Sequence, residues 1–246
     1  MQRYFGDEIT LQDNFLLPAE IYKHAIVVLR TRVGECLEIV DQQQVIHVME
    51  VTKIENKQAY AKEIKCYQAK VELPLNVTIA CAISKGDKAE WIVQKATELG
   101  ATKFIFYNGD YSVAKWDAKK VNKKLERLAK IAQGAAQQSH RTKVPEVTFA
   151  SSLATIAQMQ ADCKLVAYEQ EAKDGEKSNF KAALTTLAKQ QEVIALFGPE
   201  GGISIPEITL LKEQHFIPVA LGPRIMRAET APLYLLSALS FMFELE

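Results

Sequence analysis

The chain has 246 residues, 48% of them hydrophobic and 24% charged, with 30 Lys plus Arg balancing 30 Asp plus Glu for a formal net charge of zero. Those proportions exclude disorder, collagen-like repeats and disulfide-rich scaffolds, and the length allows one large domain or a small one followed by a medium one. No apolar run approaches the ~20 residues of a membrane span, and the opening Met1–Glu8 lacks the apolar stretch of a secretion signal, so a cytoplasmic protein with no membrane partner is expected. Cys36, Cys66, Cys81 and Cys163 stand far apart, with no C-x-x-C pair and no nearby His doublet; reduced thiols and no metal site are expected.

The neutral total is a cancellation. Residues 112–150 carry nine basic and three acidic side chains, whereas 151–246 carry eight and twelve. Most of the surplus is Lys115, Lys119, Lys120, Lys123, Lys124, Arg127 and Lys130, with Arg141 and Lys143 just beyond. Such a run is either a solvated helix face or a surface for a polyanion.

In chain order, residues 1–72 read as short strands: Cys36–Val40, a turn at Asp41–Gln44, Val45–Val51 and Gln58–Ala61. This pattern predicts a small β-barrel or sandwich. After Leu73-Pro74-Leu75 the rhythm changes to strands alternating with helices, the pattern of a mostly parallel α/β sheet spanning residues 73–246. Val77–Ala82 predicts a buried strand, followed by a helix with Ala89, Ile92, Val93, Ala96 and Leu99 on one face. Asp87 and Glu90 are spaced as a capping box, and Gly100 suits the left-handed C′ position. Phe104–Tyr107 predicts the next strand, and a long helix from about Asp117 places Val121, Leu125, Leu128, Ala132 and Ala135 on one stripe. Leu165–Tyr168 and Val193–Phe197 are strands flanking a helix over 179–190. Ser204 and Glu207 form a second capping box, Phe216–Leu221 a last strand, and an apolar helix starts near Ala231.

Two strand ends carry glycine-bearing loops. One is Phe197-Gly198-Pro199-Glu200-Gly201-Gly202, and the other runs Leu221-Gly222-Pro223-Arg224-Ile225-Met226-Arg227-Ala228-Glu229-Thr230. Ligands of open α/β sheets bind outside the carboxyl ends of strands, and glycine lets main-chain groups approach a ligand closely. A pocket for an adenosine fits these loops. Arg227, Glu229 and Thr230 set polar groups beside an otherwise apolar closing helix. There is no G-x-x-x-x-G-K-[ST], no G-x-G-x-x-G after a strand and no G-x-S-x-G, which argues against P-loop, dinucleotide and hydrolase sites.

Together these loops resemble the cofactor loops of the SPOUT-class, trefoil-knotted RNA methyltransferases, and specifically the RsmE family of 16S ribosomal RNA uridine-N3 methyltransferases. The resemblance extends to Arg3-Tyr4-Phe5, to the segment from His24 through Val28-Leu29-Arg30-x-Arg32-x-Gly34-Glu35, to Lys95-Ala96-Thr97-Glu98-Leu99-Gly100, and to Gln137-Gln138-Ser139-x-Arg141 before Val144-Pro145. The chain departs from the family's common residues at Ala228 (commonly Thr) and Gln137 (commonly Glu), and neither is counted as catalytic.

The resemblance implies a PUA-like RNA-binding β-barrel over 1–72, and a knotted methyltransferase domain over 73–246 that binds S-adenosylmethionine and works as a homodimer on 16S rRNA in the small ribosomal subunit. It places the cofactor against Leu196, Phe197, Gly198, Pro199, Glu200, Gly201, Gly202, Leu221, Gly222, Ile225, Met226 and Arg227. Arg227 would stabilise a developing uracil anion, and Glu229 or Glu200 would accept the proton. Arg3, Arg30, Arg32, Lys119, Lys123 and Arg141 would contact RNA. A ribose 2′-O-methyltransferase of the same class, or a catalytically silent RNA-binding protein, are the other readings of these residues.

Overall fold

The computed structural model describes residues 1–6, 14–170 and 179–245. They form two compact units, residues 1–72 with 136–143, and residues 73–135 with 144–246.

The first unit is built on β1 (Arg3–Phe5), β2 (Phe15–Leu16), β3 (Cys36–Val40), β4 (Ile46–Glu55) and β5 (Gln58–Tyr67). They pair in the order β1-β3-β4-β5-β2, with β1 parallel to β3 and the other pairs antiparallel. The β4–β5 hairpin turns through Asn56 and Lys57, both at positive φ (49° and 60°), as a two-residue hairpin loop requires. Register shifts after Val48 and Val51 bend the long strands. A short helix, α1 (Ala19–Tyr22), runs on as a π-helical turn over Lys23–Val28 and packs Ile21 and Ala25 with Tyr4, Leu37, Ile39, Met49 and Val51.

The second unit alternates strand and helix: β6 (Asn76–Ala82), α2 (Lys88–Glu98), β7 (Lys103–Tyr107), α3 (Ala118–Gln138), β8 (Glu146–Ala150), α4 (Leu153–Ala157), β9 (Cys163–Ala167), α5 (Asn179–Thr186), β10 (Glu192–Phe197), α6 (Ile205–Glu213), β11 (Ile217–Val219) and α7 (Ala231–Glu244). The six strands are all parallel, in the order β11-β9-β10-β6-β7-β8. Alternation along the strands supplies two cores. Ile79 and Cys81 face α2, α3, α5 and α7, whereas Ala80 and Ala82 face α4 and α6. The unit is therefore a three-layer α/β/α sandwich. From β6 the chain steps outward through β7 and β8, then returns to place β9 and β10 on the other side of β6. That reversal leaves a crevice at the carboxyl ends of the strands.

Several expectations need correction. Residues 136–143 belong to the first unit, because Glu72 gathers this segment: its carboxylate accepts from Arg141 and from the backbone N–H groups of Thr142 and Lys143. Asp87 does not cap α2; at φ −91° and ψ 15° it lacks the extended geometry from which its side chain could reach the first turn. The last strand is confined to Ile217–Val219, with Pro218 tolerated because β11 lies at the sheet edge. The helix after residue 179 ends at Thr186. The Ser204–Glu207 capping box is present in full, and Gly100 sits at φ +94°.

Candidate active site

The last residues of β9, β10 and β11 are Ala167, Phe197 and Val219, and all three wall a cavity of about 460 Å³. Around it lie Tyr168, Glu169 and Gln170 after β9, residues 198–203 after β10, residues 220–222 and 224–228 after β11, Lys88 from α2, and Ala231 from α7.

The loop after β10 is fixed at both ends. Tyr107 donates its hydroxyl to the Phe197 carbonyl at 3.3 Å, anchoring the strand end. Gly202 N–H closes a turn on the Pro199 carbonyl (2.9 Å), and Gly202 then takes φ +80°. A Cβ on Gly198 would come within 2.7 Å of Ile203, so only glycine lets the loop fold back on itself there. Downstream, Ser204 Oγ accepts from the Glu207 backbone, and the Glu207 carboxylate accepts from both Ser204 N–H (2.9 Å) and Asp110 N–H (3.0 Å). The loop after β11 ends where the Arg227 carbonyl accepts from Thr230 and Ala231, starting α7.

A charge cluster stands at the cavity wall. Lys88 Nζ lies 2.7 Å from Glu200 Oε1 and 3.3 Å from Glu229 Oε2. Burial would push the Glu200 carboxyl up, but the Lys88 hydrogen bond and the loop's own N–H outweigh it and hold that carboxyl below the usual range. The Glu200 hydrogen bond in turn raises the Lys88 ammonium.

Phe197, Gly198, Pro199, Glu200, Gly201, Gly202, Leu221, Gly222, Ile225, Met226 and Arg227 all line the cavity. Leu196 does not: its side chain is fully buried in the core under α4 and α6, because alternation along β10 turns it away. Glu229 is not on the wall itself and reaches the site through Lys88. Sequence reasoning missed Lys88, Tyr168 and Glu169. The available signal was that Lys85-Gly86-Asp87-Lys88 follows a strand end just as the two glycine loops do.

Of the residues expected to meet RNA, Arg30, Arg32, Lys119 and Lys123 are exposed. Arg30, at φ 60°, stands with Arg32 among exposed Val27, Val28, Leu29 and Val33, a surface both apolar and cationic. Arg3 and Arg141 are corrections. Each is 3% exposed, Arg3 bound to Glu38 at 2.9 Å and Arg141 to Glu72 at 2.5 Å. Arg3 also donates to the His140 carbonyl. These two arginines pair with buried Glu38 and half-buried Glu72 of the first unit and present no cationic surface.

A parallel α/β sandwich with glycine-rich loops around a cavity at its strand ends is the class that fold and site define, and comparison with known proteins narrows it. Residues 71–240 match the family model described as an RNA methyltransferase domain. The ribosomal RNA small subunit methyltransferase E of Bacillus subtilis (strain 168) is 41% identical over 252 residues, covering 100% of this chain and 98% of that protein. Its namesake from Buchnera aphidicola subsp. Acyrthosiphon pisum is 27% identical, over 98% and 92%. The crystal structure of a ribosomal RNA small subunit methyltransferase E from Neisseria gonorrhoeae bound to S-adenosyl methionine superimposes with a TM-score of 0.85 at 28% identity, covering 99% of this chain and 98% of that one. The chain belongs to the ribosomal RNA small subunit methyltransferase E family.

Proposed function

We propose that the protein transfers a methyl group from S-adenosylmethionine to N3 of a uridine in 16S rRNA of the small ribosomal subunit. The observation that carries this reading is the cavity formed by the loops after β10 and β11 in a chain of the ribosomal RNA small subunit methyltransferase E family. Its volume of about 460 Å³ lies within the roughly 300–1,000 Å³ usual for small-molecule sites. The wall fits the cofactor chemically. Phe197, Ile203, Val219, Leu221, Ile225 and Met226 offer apolar surface for an adenine, and the side-chain-free backbone at Gly198, Gly201, Gly202 and Gly222 offers main-chain donors and acceptors.

When bound, the cofactor supplies an electrophilic methyl group on a sulfonium. Methylation at N3 forms an N–C bond, breaks an S–C bond and releases the N3 proton. A base must take that proton, directly or through a water, and we assign this to Glu229 or Glu200, with Glu169 a further carboxylate on the wall. Arg227 lines the cavity, and in this reading its charge offsets negative charge developing on the uracil ring. Orientation of N3 by the fixed loops supplies a further part of the rate, up to about 7–11 kcal/mol in well-oriented reactions.

In this reading residues 1–72 act as a PUA-like RNA-binding module, with Arg30 and Arg32 contacting phosphate, and Lys119 and Lys123 doing the same from α3. The homodimer and the trefoil knot implied by the resemblance belong to the same proposal, as does a cytoplasmic location. Among the described residues no helix is long and apolar enough to cross a membrane.

The test is incubation of the protein with methyl-labelled S-adenosylmethionine and either small subunits or naked rRNA. Label entering the small-subunit rRNA supports the reading. Cofactor binding without label on either substrate contradicts it and favours a silent RNA-binding protein.

A further inference from the structure

We propose that Lys88 is a positioning residue that holds Glu200 and Glu229 as one charge cluster at the cavity wall, and so sets the pH range over which the cavity binds its cofactor. This rests on the S-adenosylmethionine reading above. Lys88 is the first residue of α2, yet its side chain joins the loop after β10 to the loop after β11, with Nζ 2.7 Å from Glu200 and 3.3 Å from Glu229. Its side chain is 26% exposed, against 36% for Glu200 and 19% for Glu229, so the cluster is partly shielded from solvent. Two carboxylates sharing such a site without a cation would repel, and one would be driven to take up a proton.

The two contacts are unequal. Lys88 donates to Glu200 at 2.7 Å, whereas its contact with the buried Glu229 Oε2 is longer, at 3.3 Å. Lys88 therefore fixes one carboxylate and orients the other. The remaining charged groups on the wall are Glu169, Arg224 and Arg227; Asp87 precedes Lys88 on its own helix and is exposed.

Calorimetric titration of the full chain with S-adenosylmethionine across about pH 5 to 9 tests this, using wild type, Lys88→Met and Lys88→Arg. Wild-type affinity should stay level on acidification until the carboxylate range is reached. Lys88→Met removes the hydrogen bond that holds Glu200 low, so Glu200 loses at a higher pH the negative charge that favours a cationic sulfonium, and affinity should fall off at a higher pH than in wild type, with Lys88→Arg restoring the wild-type curve. In the Lys88→Met background, Glu200→Gln should flatten the added pH dependence. A Lys88→Met curve that parallels wild type at every pH, whether or not affinity and melting temperature drop, would overturn the proposal and leave Lys88 a structural brace. If wild type itself shows no binding at any pH, the cofactor reading fails, and this proposal with it.

Discussion

Gly201 is pressed against Tyr111: a Cβ built on the glycine would stand 2.8 Å from the Tyr111 Cβ and 3.3 Å from its carbonyl oxygen. The obstruction is main chain and the first side-chain carbon, which cannot swing away. The loop after β10 is thus set by the loop after β7, which is itself held by Asn108 bonding both the N–H and the C=O of Trp116. Gly201→Ala must displace one loop or the other, at an overpacking cost of about 1–3 kcal/mol. Calorimetry should show cofactor affinity reduced about tenfold or more, with circular dichroism unchanged.

Glu207 ties the start of α6 to Asp110, and Ser204 Oγ completes the arrangement at 2.5 Å from the Asp110 carboxylate. Ser204→Ala removes the cap and should cost about 1–2 kcal/mol. Denaturant unfolding should place Glu207→Ala lower still, because two backbone donors lose their acceptor.

Local signals of this kind were the legible part of the fold. The Ser204–Glu207 spacing, Gly100, the apolar stripe of α3 and the continuous apolar runs of β6 and β10 all act within one element, and each appears where the sequence puts it. What escaped was decided by remote partners. β1 has only three residues and exists by pairing with β3, more than thirty residues on. The β8 edge strand, half-buried along most of its length, has no clear alternation. The glycine loops were readable because two adjoining strand ends carried them, but Lys88 reaches them only because β6 lies beside β10 in the sheet. Arg3 and Arg141 read as surface cations since nothing local reveals that Glu38 and Glu72 wait for them.

Glu38 illustrates the consequence for stability. Burial would raise its carboxyl, but hydrogen bonds from Tyr67 and Arg3 outweigh that and hold it below the ordinary value of 4.5. A carboxyl held low in the folded state stabilises at pH above that value, and the contribution is lost as pH falls through the folded pKa. Arg3→Ala would leave the carboxylate buried without its cation and should destabilise by about 3–5 kcal/mol near neutral pH. Unfolding of Glu38→Gln should show a weaker acid dependence than wild type.

Lys119 and Lys123 lie on the exposed face of α3. If they contact phosphates, replacing both with Gln should weaken rRNA binding and reduce the slope of log affinity against log salt by about one to two. Calorimetry of the same variant should leave cofactor binding untouched. An unchanged salt slope would make α3 a solvated helix.

Arg227 separates binding from chemistry. Its carbonyl starts α7, a main-chain role that any residue can fill, while its exposed side chain borders the cavity. Arg227→Ala should therefore bind S-adenosylmethionine nearly as wild type does, yet lose about 10² to 10³ in kcat, the scale of removing one transition-state donor. Equal loss of both would make the side chain a part of the loop's structure.

The position of the transferred methyl group separates base from ribose methylation. Small subunits methylated by the protein should be digested to nucleosides and the product identified by mass spectrometry against N3-methyluridine and 2′-O-methyl standards. Transfer to N3 predicts N3-methyluridine, at one position in 16S rRNA. A 2′-O-methyl nucleoside, or methylation of another base, would contradict it.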